Sequence, residues 1–109
     1  MNSERLKQLL NYLQEDPNDP FTLYAVAMEY LDFDDEKAIS MLKKIIESHP
    51  TYLPSYYQLA RLFQAENQSA KAIEIYKAGI NLAKSQNNHQ TLKELNNALN
   101  ELLFEDDSL

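Results

Sequence analysis

Leu23-Tyr24-Ala25-Val26-Ala27-Met28-Glu29-Tyr30 and Tyr56-Tyr57-Gln58-Leu59-Ala60-Arg61-Leu62-Phe63 are two copies of one pattern, and reading them together decides the fold. In each, a large apolar residue is followed at helical spacing by an apolar-small pair and then an aromatic. A similar echo follows. Ala38, Ile39, Leu42 and Ile46 recur further on as Ala72, Ile73, Tyr76 and Ile80. The period is about 33 residues in the first case and about 34 in the second, within the range of about 20–50 that marks a stacked repeat protein. The difference places a one-residue deletion in the Asp32–Asp35 turn. Backwards along the chain, Leu9, Leu13 and Pro17 match Leu42, Ile46 and Pro50 at the shorter period. The first helix is therefore the second half of a unit whose first half is missing.

Proline punctuates the repeats. Gln14-Glu15-Asp16-Pro17 and Glu47-Ser48-His49-Pro50 close similar stretches, and Pro20 and Pro54 fall where the next helices begin. Proline stops a helix it follows but is tolerated in a first turn, where its missing N–H has no partner. The apolar stripes between these breaks predict six helices, at 3–15, 20–31, 35–48, 54–66, 69–84 and 89–104. Asp34 is the expected N-cap of the third, with Phe33 stapling onto Ala38, and Thr91-Leu92-Lys93-Glu94 matches a capping box. One glycine in 109 residues argues against sandwiches, barrels, Rossmann folds and phosphate loops, which need glycine for tight turns and close backbone approach. The chain reads as all-α.

Composition narrows function. A hydrophobic fraction of 44% with 25% charged residues is that of a globular domain, and 109 residues suit a single one. Seventeen acidic against ten basic side chains give a net charge of −7. That balance disfavours nucleic acid, which is bound through clustered Lys and Arg, and an anionic membrane surface. Cysteine is absent, so no disulfide or thiolate zinc site is available. No apolar run approaches the roughly 20 residues of a membrane span. Met1-Asn2-Ser3-Glu4-Arg5 lacks the basic patch and apolar stretch of a secretory signal. A cytoplasmic location is the expectation.

The helix–turn–helix unit, roughly 34 residues long, resembles the tetratricopeptide repeat. The first full unit supplies Leu23, Val26-Ala27, Tyr30, Ala38, Leu42 and Pro50. The second supplies Tyr56, Leu59-Ala60, Phe63, Ala72 and Tyr76, with Gly79 where the family prefers a small residue. Two positions depart from the pattern, Ile45 at that small position and Lys84 in place of the closing proline. The resemblance covers Arg5 to about Ser85. It implies an all-α, right-handed superhelical array of antiparallel helix pairs forming one domain over 1–109. Its parts are a half-repeat at 3–17, repeats at 20–50 and 53–85, and a capping helix at 89–104. Ala27 with Ala38, and Ala60 with Ala72, should meet where paired helices cross, since larger side chains would force the axes beyond the usual separation of about 8–10 Å.

Residues for catalysis are scarce. His49 and His89 sit in separate interhelix regions, and His49 suits a helix C-terminus, where the dipole favours a cation. Metalloprotease, P-loop and nucleophile-elbow motifs are missing. Asp32, Asp34, Asp35 and Glu36 read as a solvated turn, lacking the length and central glycine of a calcium loop. Glu105-Asp106-Asp107 reads as a frayed, solubilising tail. No enzyme activity, metal or cofactor is expected. In the resembled family, first helices line a concave groove that holds partner peptides. Carried over, the groove presents Phe21, Tyr24, Met28 and Leu31 from one helix and Tyr57, Gln58, Arg61 and Gln64 from the next. Aromatics, methionine and arginine are typical of interface centres. The last helix could instead fold over these residues and make them core. Family members that clamp acidic chaperone tails use a Lys and an Asn, and here Tyr24 and Met28 stand at the matching positions. The expected function is a noncatalytic module binding a protein or peptide. The alternative is a homo-oligomer, such as a homodimer, using the groove or the half-unit end.

Overall fold

The computed structural model describes residues 2–107. These form six helices, α1 (Ser3–Glu15), α2 (Pro20–Tyr30), α3 (Asp35–Ser48), α4 (Pro54–Ala65), α5 (Ser69–Ser85) and α6 (His89–Asp107), with no strand among the described residues. No helix among them is long and apolar enough to cross a membrane. The molecule is an all-α helical repeat array.

The helix starts follow side-chain chemistry. Asn2 caps α1 by accepting from the Arg5 amide at 3.0 Å, Asp19 caps α2 through the Thr22 amide at 3.1 Å, and Asp34 caps α3 through the Lys37 amide at 3.2 Å. Each satisfies an amide the first turn leaves without a carbonyl. Asn88 does this for α6 by accepting from the Thr91 amide at 3.1 Å. Thr91 is thus inside the helix, and the expected capping box gives way to an asparagine cap earlier in the chain. Phe33 is 64% exposed, unlike the staple expected of it. Three helix ends also differ from expectation by a single position, and α6 runs to Asp107 rather than 104. The acidic stretch from Glu105 therefore continues the helix backbone instead of leaving it.

Three turns contain a residue with left-handed backbone, Asp32 (φ 65), Asn67 (φ 60) and Asn87 (φ 55). After α4 the Gln68 amide reaches back to the Phe63 carbonyl at 2.9 Å, and after α5 the Asn88 amide reaches Ala83 at 3.0 Å. Such long closures are the usual way for a left-handed residue to end a helix. After α2 the turn differs: the Asp34 amide bonds the Tyr30 carbonyl at 2.8 Å. The residue missing from the first repeat is absorbed here, because α2 stops at Tyr30 whereas α4 continues past Phe63, its counterpart, to Ala65.

Two compact units are distinguished, one ending at Ser55 and the other beginning at Tyr56. In the first, α1 packs on α2 and α2 on α3. Leu23, Val26 and Ala27 of α2 and Ala38, Leu42 and Ile45 of α3 form its core, all at most 3% exposed. Ile45 is fully buried although the sequence pattern prefers a small residue there. Arg5 holds α1 to α2 through its Nε, 2.9 Å from a Glu29 carboxylate oxygen. In the second unit α5 packs on α6. Leu59, Ala60, Ala72, Tyr76 and Leu95 are among its innermost side chains, at most 2% exposed. The repeat also places a buried hydroxyl at matching positions, Thr22 and Ser55. Thr22 donates to the Asp19 carboxylate at 2.5 Å, and Ser55 donates to the Tyr52 carbonyl at 2.7 Å. Neither hydroxyl is left without a partner.

Candidate protein-interaction surfaces

In the first unit α2 turns its buried stripe toward α1 and α3, which leaves Phe21, Tyr24 and Met28 on its other side. Phe21 is 69% exposed, while Tyr24 and Met28 are half-buried. The Tyr24 ring lies 5.7 Å from that of Tyr52, tilted by 56°. Such tilted contacts suit the ring quadrupole and hold the aromatic face in place. Burial pushes the Tyr52 hydroxyl above its ordinary pKa, reinforced by Tyr24 and Asp19. Leu31, expected on the helix, is the C-cap residue beyond it and is half-buried. His49 caps the C-terminus of α3. Its Nε2 lies 2.6 Å from the Asn18 carbonyl oxygen, and because a carbonyl only accepts, that nitrogen donates.

The second unit contains a cleft of about 490 Å³ lined from three helices. Tyr57, Arg61 and Gln64 come from α4, Tyr76 from α5, and Ala98, Glu101 and Glu105 from α6. Tyr76 is 1% exposed. Its ring meets Tyr57 edge-on at 6.4 Å and 66°, and its hydroxyl donates to Gln64 Oε1 at 3.0 Å. Burial raises the Tyr76 pKa, with Tyr57 adding to the rise. The Arg61 guanidinium stands over the Tyr57 ring, 5.7 Å from its centroid, a cation–π distance. Arg61 itself is exposed, and Tyr57, Gln58 and Gln64 are half-buried or better. The last helix forms one wall of this cleft and does not cover it. Among the described residues no cluster of three or more His, Asp or Glu could hold a metal ion.

Of the expected groove residues, the structure brings Tyr57, Arg61 and Gln64 into one cleft and places Phe21, Tyr24 and Met28 on a single helix face. Sequence reasoning missed Tyr76, which it reads only as a position of the repeat pattern, and Glu101, to which it assigns no role. A usable signal existed for Tyr76: a tyrosine in a core stripe needs a partner for its hydroxyl.

Two family models described as tetratricopeptide repeat match the chain, over residues 41–74 and 22–52. No curated protein matches. Solved structures do. The chain is similar to a tetratricopeptide repeat domain protein from Salinibacter ruber in its crystal structure, at 33% identity and a TM-score of 0.73 over 77% of this chain and 94% of that one. The solution structure of a tetratricopeptide repeat domain protein from the same organism matches at 33% identity and a TM-score of 0.75, covering 79% and 88%. A protein from Bordetella parapertussis shares the fold at 22% identity and a TM-score of 0.82, covering 97% and 92%.

Proposed function

The chain belongs to the tetratricopeptide repeat family, and from that premise we propose that it is a noncatalytic module that holds a peptide segment of another protein. Repeats of this family generally mediate protein–protein interaction. The residues proposed for contact are Phe21, Tyr24, Met28 and Leu31 in the first unit and Tyr57, Gln58, Arg61 and Gln64 in the second.

One observation carries this reading: the cleft on α4 stays open, with Arg61 exposed and α6 standing as a wall beside it. Tyrosine and arginine supply much contact area per immobilised side chain, which is why they dominate interface energetics. A cleft of this volume accommodates several side chains of a bound segment. Fold alone does not establish function, so the test is direct. Partners are captured from the source organism and identified by mass spectrometry. Tyr24→Ala combined with Tyr57→Ala should then lose them while far-UV circular dichroism stays helical. Full retention by the folded double variant would refute the assignment.

A further inference from the structure

We propose that the cleft of the second unit takes a basic segment, whose arginine or lysine side chain enters beside Glu101 and lies against Tyr57. The proposal rests on the reading of the cleft as a partner surface and names the chemistry of that partner.

The lining is of mixed charge but unequal. Glu101 and Glu105 place two carboxylates on the α6 wall, against the single cation Arg61 on α4. Glu101 is exposed and makes no salt bridge among the described residues, so its charge is available to an incoming cation. Tyr57 already carries the Arg61 guanidinium over its ring, the same kind of contact that an incoming guanidinium would make in its place once Arg61 swings aside. Aromatic rings attract cations through the negative face of the quadrupole, and a carboxylate beside them adds direct pairing. The rest of the molecule acts in the same direction. With a net charge of −7 the chain attracts basic segments and repels acidic ones, within a screening length of about 10 Å at 0.1 M salt. An acidic segment captured by Arg61 is the competing occupant. It would bring its carboxylate up against those of Glu101 and Glu105.

Three capped decapeptides separate these outcomes, each with leucine alternating with arginine, glutamine or glutamate. Each is titrated into the full chain, with binding read from the amide NMR signals of Tyr57, Gln64 and Ala98. The arginine peptide should bind roughly fivefold more tightly than the glutamine peptide at low salt, for one solvent-accessible ion pair gained. That preference should vanish near 1 M salt, where the screening length is about 3 Å. Glu101→Lys, on an exposed helix face, should remove the preference at low salt while the spectrum stays helical. Equal binding of arginine and glutamine peptides through these amides would overturn the charge assignment and leave the cleft as a partner surface. Tightest binding of the glutamate peptide, or an arginine preference untouched by Glu101→Lys, would also overturn it. If no peptide moves these amides and Tyr57→Ala keeps its captured partner, the reading of the cleft falls with it.

Discussion

A left-handed backbone costs an ordinary L-residue about 1–2 kcal/mol, little for glycine and less for asparagine and aspartate than for others. This chain has a single glycine, and it lies in a helix with no positive φ. Asp32, Asn67 and Asn87 take the left-handed positions instead. Their side chains tolerate that conformation because a short polar group bonds locally. The turns can therefore be tight without glycine, with some strain retained. Asn67→Gly should relieve strain yet add freedom to the unfolded chain, for a net gain of about 0.5 kcal/mol. Asn67→Val, whose branched side chain clashes there, should lose roughly 1–2 kcal/mol. Urea midpoints at constant slope measure both, and valine behaving like glycine would contradict a left-handed Asn67.

Each helix is set by its cap and by the face it buries, and the two make separable predictions. The Asp19 carboxyl is held below its ordinary range, first by the Thr22 hydroxyl and then by the Thr22 and Phe21 amides, with His49 adding a smaller effect; partial desolvation opposes them. A depressed folded pKa means a contribution present above the unfolded value of about 3.9 and lost as pH falls through the lower folded value. Asp19→Ala should cost about 1 kcal/mol near neutral pH by removing the cap. Asp19→Asn keeps an acceptor but cannot titrate, so its acid denaturation curve should be flatter below about pH 4. An unchanged acid limb would remove Asp19 from the account. At the crossing of α4 and α5, a Cβ on Gly79 would lie 3.0 Å from Tyr56 Cβ and 3.2 Å from Leu95 Cδ1. Helix propensity favours Gly79→Ala by about 1 kcal/mol. Tyr56 Cβ is fixed to the α4 backbone and cannot rotate away, so overpacking should win by about 1 kcal/mol net. A stabilised variant, by thermal melt, would mean that these helices part freely. The elements themselves were legible from sequence because their signals are local: Asp34 before an apolar stripe, Pro20 and Pro54 at helix starts. The cleft was legible only in part. Tyr57, Arg61 and Gln64 follow helical spacing, but Glu101 reaches them through tertiary packing of a helix far along the chain, for which no local pattern exists.

Across the whole molecule the small-residue pattern of the repeat is broken in α1 and α6. Arg5 stands one repeat before Ala38, a fully buried position, and Asn96 stands a slightly longer repeat after Ala60, also fully buried. Both replacements are exposed. A small residue is needed only where another helix must approach closely, and the exposed Arg5 and Asn96 are under no such constraint. Both units also share a titration behaviour that follows from their interior tyrosines. Tyr52 lies in the first unit and Tyr56 and Tyr76 in the second, and burial raises the pKa of each above its ordinary value. A phenolate in such surroundings loses hydration that the protein does not replace. The folded chain thus keeps these protons at a pH where the unfolded chain has released them. Stability is fully present below about pH 10, the unfolded value, and declines as pH rises toward the higher folded values. Tyrosinate absorbance should then rise together with the loss of helical circular dichroism, and not before it, for these residues. Tyr76→Phe isolates one of them. Near neutral pH it should cost about 1 kcal/mol, because Gln64 Oε1 loses its donor. Above about pH 10 its deficit against the parent chain should shrink, since phenylalanine has no proton to release on unfolding. A deficit that stays constant across the alkaline range would show that Tyr76 ionises as readily in the folded chain as in the unfolded one, against the burial that places it at 1% exposure.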